Sequence, residues 1–440
     1  MNIENNTVKR FRNVVDNKYL EIKGGELLEG NIKISGAKNS ALVLMAASIL
    51  SKGQINLFNV PRISDVLILS KILTAMGMNI KSNSNQLEIN TKKISPPSND
   101  LFFDLFHALR GSFFCIGPLL ARFGKAKIPL PGGCLIGARP IDEHINSLKE
   151  LGVMFKFKNN YLSAEVITSD KRLLGSSINF KCKSVGATET LLMAASLAKG
   201  TTTLNNAAQE PEIIDLANML NLMGAKIKGA GSECITIEGV ESLKGCDYTV
   251  MSDRIEAATF AIAACITRGN LILKGCDPRN LELPLYLLRN IGFQIKDTDD
   301  GINVDGYLTN EIKPIDLITE PYPGFPTDLQ AQFMALLTQA HGVSVINEKI
   351  FENRFMHVQE LVRMGADIYL DGDKAIITGK ANLVGAQVMA TDLRASVSLV
   401  IAALCAEGET LINRVYHLDR GFENLEKKLS NCGAEIERIR

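Results

Sequence analysis

The chain has no excess of either charge: 48 Lys and Arg balance 48 Asp and Glu over 440 residues. No global field therefore draws nucleic acid or anionic lipid, and any anion site must come from local clusters. It has no Cys-x-x-Cys pair, no His-Glu-x-x-His and only five histidines, which argues against a metal site. Its nine cysteines are odd in number and suit a reducing compartment, so the expected location is cytoplasmic. It has no long apolar run. The longest, near Ala41–Leu50 and Val397–Ala406, fall short of the ~18 residues that a bilayer demands, so no membrane association is expected. Residues 1–18 carry Lys9, Arg10, Arg12 and Asp16 without an apolar stretch, and read as a flexible arm rather than a secretory signal. What remains is an ordinary globular composition, 46% hydrophobic and 22% charged, with a length that at ~150 residues per domain suggests two or three domains.

Internal repeats decide the architecture. Gly53, Gly124, Gly200, Gly269, Gly342 and Gly408 each end an apolar helix and precede a short strand. Gly77, Gly152, Gly224, Gly292, Gly365 and Gly433 each end a second helix, in a Leu-x-x-x-Gly-like pattern. Glycine just past a helix end takes the left-handed conformation that caps it. Each repeat then reads helix, strand, helix, strand, strand, with bodies near 38–90, 104–166, 184–238, 252–305, 326–378 and 391–438. Three such units per domain make two similar α/β domains.

The N-terminal segment Tyr19-Leu20-Glu21-Ile22-Lys23-Gly24 is like Ile235-Thr236-Ile237-Glu238-Gly239 and Ile376-Ile377-Thr378-Gly379, which end repeats. It is a repeat ending with no body before it, so residues 19–37 are expected to complete the last repeat. The domains are then 1–37 with 252–440, and 38–251. Two chain crossings between them, near residues 37 and 252, suit a hinge.

The first helix of each repeat starts on a polar or charged cluster: Ser35-Gly36-Ala37-Lys38-Asn39, His107-Ala108-Leu109-Arg110, Ser184-Val185-Gly186-Ala187, Ser252-Asp253-Arg254, Phe325-Pro326-Thr327-Asp328 and Thr391-Asp392-Leu393-Arg394. Helix N-termini carry partial positive charge and unpaired N–H groups, so several together would favour anions. Lys38, Arg110 and Arg394 oppose that dipole, at a cost that bound phosphate or carboxylate would offset. Asp253, Asp328 and Asp392, each taken alone, read as N-caps. His144, in the first turn of a helix, reads as structural. Cys134 differs from core cysteines such as Cys265 and Cys405. It lies in the Gly/Pro-rich loop Leu130-Pro131-Gly132-Gly133-Cys134-Leu135-Ile136-Gly137-Ala138-Arg139-Pro140, where a thiol meets ligand and nearby cations tune its proton.

These clusters, with Phe351-Glu352-Asn353-Arg354-Phe355-Met356-His357 and Asp419-Arg420-Gly421, resemble the family of UDP-N-acetylglucosamine enolpyruvyl transferases from Lys18 to the C-terminus. The resemblance implies two inside-out α/β domains of three repeats each. It implies transfer of the enolpyruvyl group of phosphoenolpyruvate to the 3-hydroxyl of UDP-N-acetylglucosamine, an early step in peptidoglycan synthesis. Cys134 would donate the proton, as well as being the site of fosfomycin alkylation, and Asp328 would serve as base. Lys38 and Asn39 would contact phosphoenolpyruvate, with Arg139, Arg394 and Arg420 completing the cradle for its charges. Arg110, the segment Arg139, Pro140, Ile141, Asp142 and Glu143, and Ser184, Val185 and Ile350 would bind the UDP-sugar. Lys183, Gly186 and Arg354 join the substrate-binding set.

No cofactor, metal or obligate protein partner is implied; the partners are the two small-molecule substrates. The family usually has a basic residue where Cys182 stands between Lys181 and Lys183. The shikimate-pathway enolpyruvyl transferase shares fold and donor but lacks this Cys134 loop. The RNA terminal-phosphate cyclase reading wants a catalytic histidine and a basic face. A catalytically silent relative would not need Lys38, Cys134, Asp328 and Arg394 together.

Overall fold

The computed structural model describes residues 18–95, 105–130, 137, 141–158, 161–307 and 311–439. Two compact units form, each with its own apolar core. One joins the chain up to Ile34 to Ser252–Arg440; the other is made in the main of Ser35–Met251.

Each unit is built around three helices. They are α1 (Lys38–Ala47), α2 (Ile116–Phe123) and α3 (Val185–Ala195) in one, and α4 (Arg254–Ile266), α5 (Gln330–Leu337) and α6 (Leu393–Cys405) in the other. Apart from α2, whose Ala121–Phe123 end is only partly buried, these sequences are largely apolar on all sides rather than striped, which marks a helix enclosed on every side. Accordingly α4 and α5 are buried along their whole length, and α1 from Ser40 onward. The strands lie outside them and alternate buried with exposed residues, as a sheet does when one face covers a core. Helices inside and sheets outside is the inside-out arrangement, and the described sheets are six in number, none closed into a barrel.

The order of strands shows how each ring of repeats closes. β1 (Tyr19–Lys23) lies between β6 (Glu409–Asn413) and β7 (Glu435–Ile439), antiparallel to both, with Leu20 opposite Ile412 and Ile22 opposite Ile436. β2 (Glu29–Lys33) then pairs in parallel with β5 (Asn270–Lys274), Ile32 opposite Leu273. The N-terminal strands thus supply the third strand of the sixth repeat and pass on to the fourth. In the other unit β4 (Cys246–Thr249) returns in parallel to β3 (Gln54–Phe58), with Tyr248 opposite Leu57. Every repeat hands a strand to its neighbour in this way wherever both strands are described.

The glycine landmarks divide into two physical classes. All six of the second set have positive φ, from 89° at Gly152 to 125° at Gly292, and so do Gly124, Gly200, Gly342 and Gly408 of the first. Gly53 and Gly269 depart from the expected left-handed cap. At Gly269 glycine is required by close approach, since a Cβ would sit 2.1 Å from the Leu28 carbonyl oxygen; at Gly53 a Cβ would lie 3.0 Å from the Gly245 backbone nitrogen.

Candidate active site

In the unit that contains α4–α6, Asp328 sits in the one-turn helix Thr327–Leu329 that leads into α5. Its carboxylate does not cap that turn, the role its position alone would suggest. Instead Arg354 Nη2 donates to Oδ1 at 2.7 Å and Arg394 Nη2 to Oδ2 at 2.8 Å. The arginine side chains are 5% and 7% exposed and the aspartate 27%, so the acid alone presents a face to solvent. Burial would push the Asp328 carboxyl up, but the Arg394 and Arg354 guanidinium charges overcome it and hold the group well below the usual carboxylate range. Asp253 and Asp392 do cap, accepting from the backbone N–H groups two and three residues on.

Arg354 lies over the Phe351 ring at 5.3 Å and Arg394 over Phe422 at 5.9 Å. Arg420 ends the short helix Val415–Arg420. The next residue, Gly421, packs so tightly that a Cβ would lie 2.6 Å from Leu393, which holds Arg420 beside the start of α6.

The other unit gathers a second group. Lys38 is the first residue of α1, after Ala37, which has no side chain to cap the helix. Its Nζ lies 2.9 Å from Asp65 Oδ2, with the two side chains 12% and 2% exposed. Asp65 is in the first turn of helix Ser64–Ala75, where an acid suits the dipole. Near the start of α1, Ser40 donates to Asp215, which also accepts from the Tyr248 hydroxyl at 2.7 Å.

A third group forms around His144. Asp142 and Glu143 open the helix Asp142–Glu150, and Glu143 accepts from the Lys181 N–H at 3.4 Å. Ser184 caps α3 by accepting from the Ala187 N–H. A Cβ on Gly186 would lie 3.2 Å from the His144 ring, so glycine there permits the contact. His144 Nδ1 lies 3.0 Å from Thr190 Oγ1, and Phe113 meets the ring edge-on. Burial pushes the His144 pKa down to about 3, and the Arg110 charge acts in the same direction. Neutral at physiological pH, His144 serves as a wedge between Asp142–Glu143 and Ser184–Gly186. Lys183 pairs with Glu233 at 2.6 Å.

The structure therefore brings together Asp328, Arg354 and Arg394 in one group, with Ile350 nearby on the segment after Val343–Asn347. It also brings together Arg110, Ile141–Glu143 and Ser184–Gly186. Cys134, Arg139 and Pro140 lie outside the described residues. The cations that oppose helix dipoles are expected to be offset by bound phosphate or carboxylate. The structure adds that Lys38 and Arg394 each have an acidic partner within the protein, Asp65 and Asp328. Sequence reasoning missed Asp65, Asp215 and Glu348. Asp65 carried the weak signal of a first-turn acid; Glu348, just past a strand end, carried none. Among the described residues no group of three or more His, Cys, Asp or Glu is placed to hold a metal ion, and no helix is long and apolar enough to cross a membrane.

A family model described as EPSP synthase (3-phosphoshikimate 1-carboxyvinyltransferase) matches residues 22–429. The chain is 53% identical to UDP-N-acetylglucosamine 1-carboxyvinyltransferase 2 of Prochlorococcus marinus, over 95% of this chain and 98% of that one. The chain belongs to the enolpyruvyl transferase family. A second relative of this transferase, the UDP-N-acetylglucosamine 1-carboxyvinyltransferase of Allorhizobium ampelinum, is 52% identical over 96% of this chain and 99% of its own. Among solved structures, the enolpyruvyl transferase NikO from Streptomyces tendae superposes with a TM-score of 0.86 at 25% identity, over 96% of this chain and 99% of that one. EPSP synthase from Acinetobacter baumannii shares the fold, with a TM-score of 0.73 at 18% identity over 96% of this chain and 100% of that one.

Proposed function

We propose that this transferase moves the enolpyruvyl group of phosphoenolpyruvate to the 3-hydroxyl of UDP-N-acetylglucosamine by addition and elimination, releasing phosphate and opening peptidoglycan precursor synthesis in the cytoplasm. The observation that carries the reading is the near full-length identity, 53% and 52%, to two relatives that bear the name of that activity. The presence of Lys38, Cys134, Asp328, Arg394 and Arg420 in the resembling motifs supports it.

Addition puts a proton on the methylene carbon of phosphoenolpyruvate and the sugar oxygen on the neighbouring carbon. Cys134 supplies that proton. The hydroxyl proton passes to Asp328. A carboxylate held between two arginines is a weak base, but the hydroxyl becomes strongly acidic once its oxygen bonds to the electron-poor carbon, so a weak base suffices. Both carboxylate oxygens are already engaged by arginine, which fixes the direction of their remaining lone pairs. Elimination returns a proton from the new methyl group to the Cys134 thiolate that addition left and expels phosphate, whose charge Lys38, Arg139, Arg394 and Arg420 hold. Asn39 contacts the donor. Arg110, Ile141–Glu143, Lys183–Gly186, Ile350 and Arg354 hold the UDP-sugar. The reaction involves no net oxidation or reduction, and protonation alone makes the neighbouring carbon electrophilic, so it calls for no cofactor.

The description of the matching family model favours a second acceptor, shikimate 3-phosphate. Phosphate release from phosphoenolpyruvate, measured with each acceptor separately, decides between them. Release with the UDP-sugar alone is expected; release with shikimate 3-phosphate alone would replace the proposed acceptor.

A further inference from the structure

Glu348 stands directly after the strand Val343–Asn347, is 4% exposed, and has no part in the chemistry above. Its carboxylate accepts four hydrogen bonds. Oε1 takes the Thr319 hydroxyl at 2.8 Å and the backbone N–H groups of Ile350 and Phe351 at 2.9 and 3.1 Å. Oε2 takes the Thr327 hydroxyl at 2.8 Å. Thr319 Oγ1 in turn accepts from the Lys349 N–H at 2.9 Å, so the turn from Lys349 to Phe351 hangs from this one side chain and its threonine. Charge-assisted hydrogen bonds to a buried carboxylate are stronger than neutral ones and fix geometry.

Both ends of this clamp lead to Asp328. Thr327 is its neighbour in the chain, and the Thr327 hydroxyl oxygen also receives Arg354 Nη1 at 3.3 Å. Phe351 forms the platform on which the Arg354 guanidinium lies. One carboxylate therefore fixes the turn that carries Asp328, the ring beneath the arginine that orients it, and the backbone of Ile350. A 1 Å error in such a shell costs far more in rate than in stability.

We propose that Glu348 is a positioning residue for the acceptor half of the reaction, holding Asp328–Arg354 and Ile350 in one rigid frame. The proposal rests on the reading of Asp328 and Ile350 as acceptor contacts. It differs from a purely structural role in where its loss should be felt: on the acceptor and not on the donor.

The test combines hydrogen exchange with steady-state kinetics of phosphate release in Glu348→Ala, Glu348→Gln and Thr327→Val. In Glu348→Ala the Ile350 and Phe351 amides should exchange about tenfold faster or more, since each has lost its acceptor. The KM for UDP-N-acetylglucosamine should rise and kcat fall, each by about tenfold, with the KM for phosphoenolpyruvate changed by less than about twofold. Glutamine keeps the Oε1 acceptor and offers an N–H to Thr327, so Glu348→Gln should stay within about threefold of the parent in all three constants. Thr327→Val removes the links from Glu348 and from Arg354 to the turn that carries Asp328, and leaves the Ile350 and Phe351 amides their acceptor. It should reproduce the fall in kcat without faster amide exchange, and it keeps the proposal testable if Glu348→Ala does not fold. Equal changes in both KM values, unchanged exchange in a folded Glu348→Ala, or full activity in Thr327→Val would each overturn it. If the parent protein releases no phosphate with the UDP-sugar, the functional reading fails by itself, and the exchange rates still judge the clamp.

Discussion

Asp328→Asn is expected to lower kcat/KM by about 10²–10⁴-fold in a protein that still folds at neutral pH. The amide has the same shape and keeps one acceptor oxygen, but it cannot take the hydroxyl proton. It also leaves the nearly buried Arg354 and Arg394 without their shared counter-charge. The stability loss should be about 1.5–3 kcal/mol, the scale of hydrogen bonds to charged groups at a site that retains some solvent. Its pH dependence follows from the direction of the shift. The folded pKa of Asp328 lies below the ordinary value of 3.8, so the carboxylate stabilises the fold fully above about pH 4, and that contribution fades as pH falls further. The gap in stability between parent and variant should thus be constant from pH 7 to pH 5 and narrow below pH 4. Denaturant unfolding at those pH values, alongside phosphate release, checks both halves. An Asp328→Asn enzyme with near-parental turnover would remove Asp328 from proton transfer.

Lys38→Ala should abolish turnover to a similar degree, by about 10³-fold, because a cation that meets developing phosphate charge in a partly enclosed site is worth several kcal/mol. Here the structure supplies a way to separate catalysis from folding. Without Lys38, Asp65 keeps a nearly buried charge whose ion-pair partner is gone, a loss that costs about 3–5 kcal/mol in buried pairs. Adding Asp65→Asn removes that charge. The double variant should recover most of the lost stability and none of the lost activity. Recovery of both would mean that Lys38 acts only as a partner for Asp65, and recovery of neither would mean that the pair does not control the stability of α1. Thermal unfolding of the four proteins in the cycle, with phosphate release from each, gives the answer.

How much of this was legible in the sequence depends on the range of the interaction. The ring of repeats could be read because each repeat carries its own glycine landmarks at its helix ends. The pairing of Tyr19–Lys23 between β6 and β7 has no local signal, but the segment has the same pattern as the repeat endings at Ile235 and Ile376, which carries the expectation that it completes the last repeat. The helix starts were legible for the same reason, and Asp253 and Asp392 cap as their positions suggest. Asp328 has the same local signal and does something else, because its partners are 26 and 66 residues away. No periodicity reports such a contact. Glu348 is the extreme case: its threonine partners are 29 and 21 residues distant, and nothing in Asn347-Glu348-Lys349 marks it. The same applies to Lys38. Its conflict with the helix dipole was visible, but the acid that resolves the conflict within the protein, Asp65, was not. Residue type and spacing reveal elements and their order, whereas the pairing of buried charges is decided by packing between elements.

Enolpyruvyl transfer by addition and elimination breaks the carbon–oxygen bond of phosphoenolpyruvate. Phosphoenolpyruvate with oxygen-18 in the bridge between carbon and phosphorus, incubated with the protein and UDP-N-acetylglucosamine, shows which bond breaks. Addition and elimination send the bridging oxygen out with phosphate, so the account predicts labelled phosphate, formed only when the UDP-sugar is present. Unlabelled phosphate accompanied by pyruvate would mean cleavage between phosphorus and oxygen, and would contradict it.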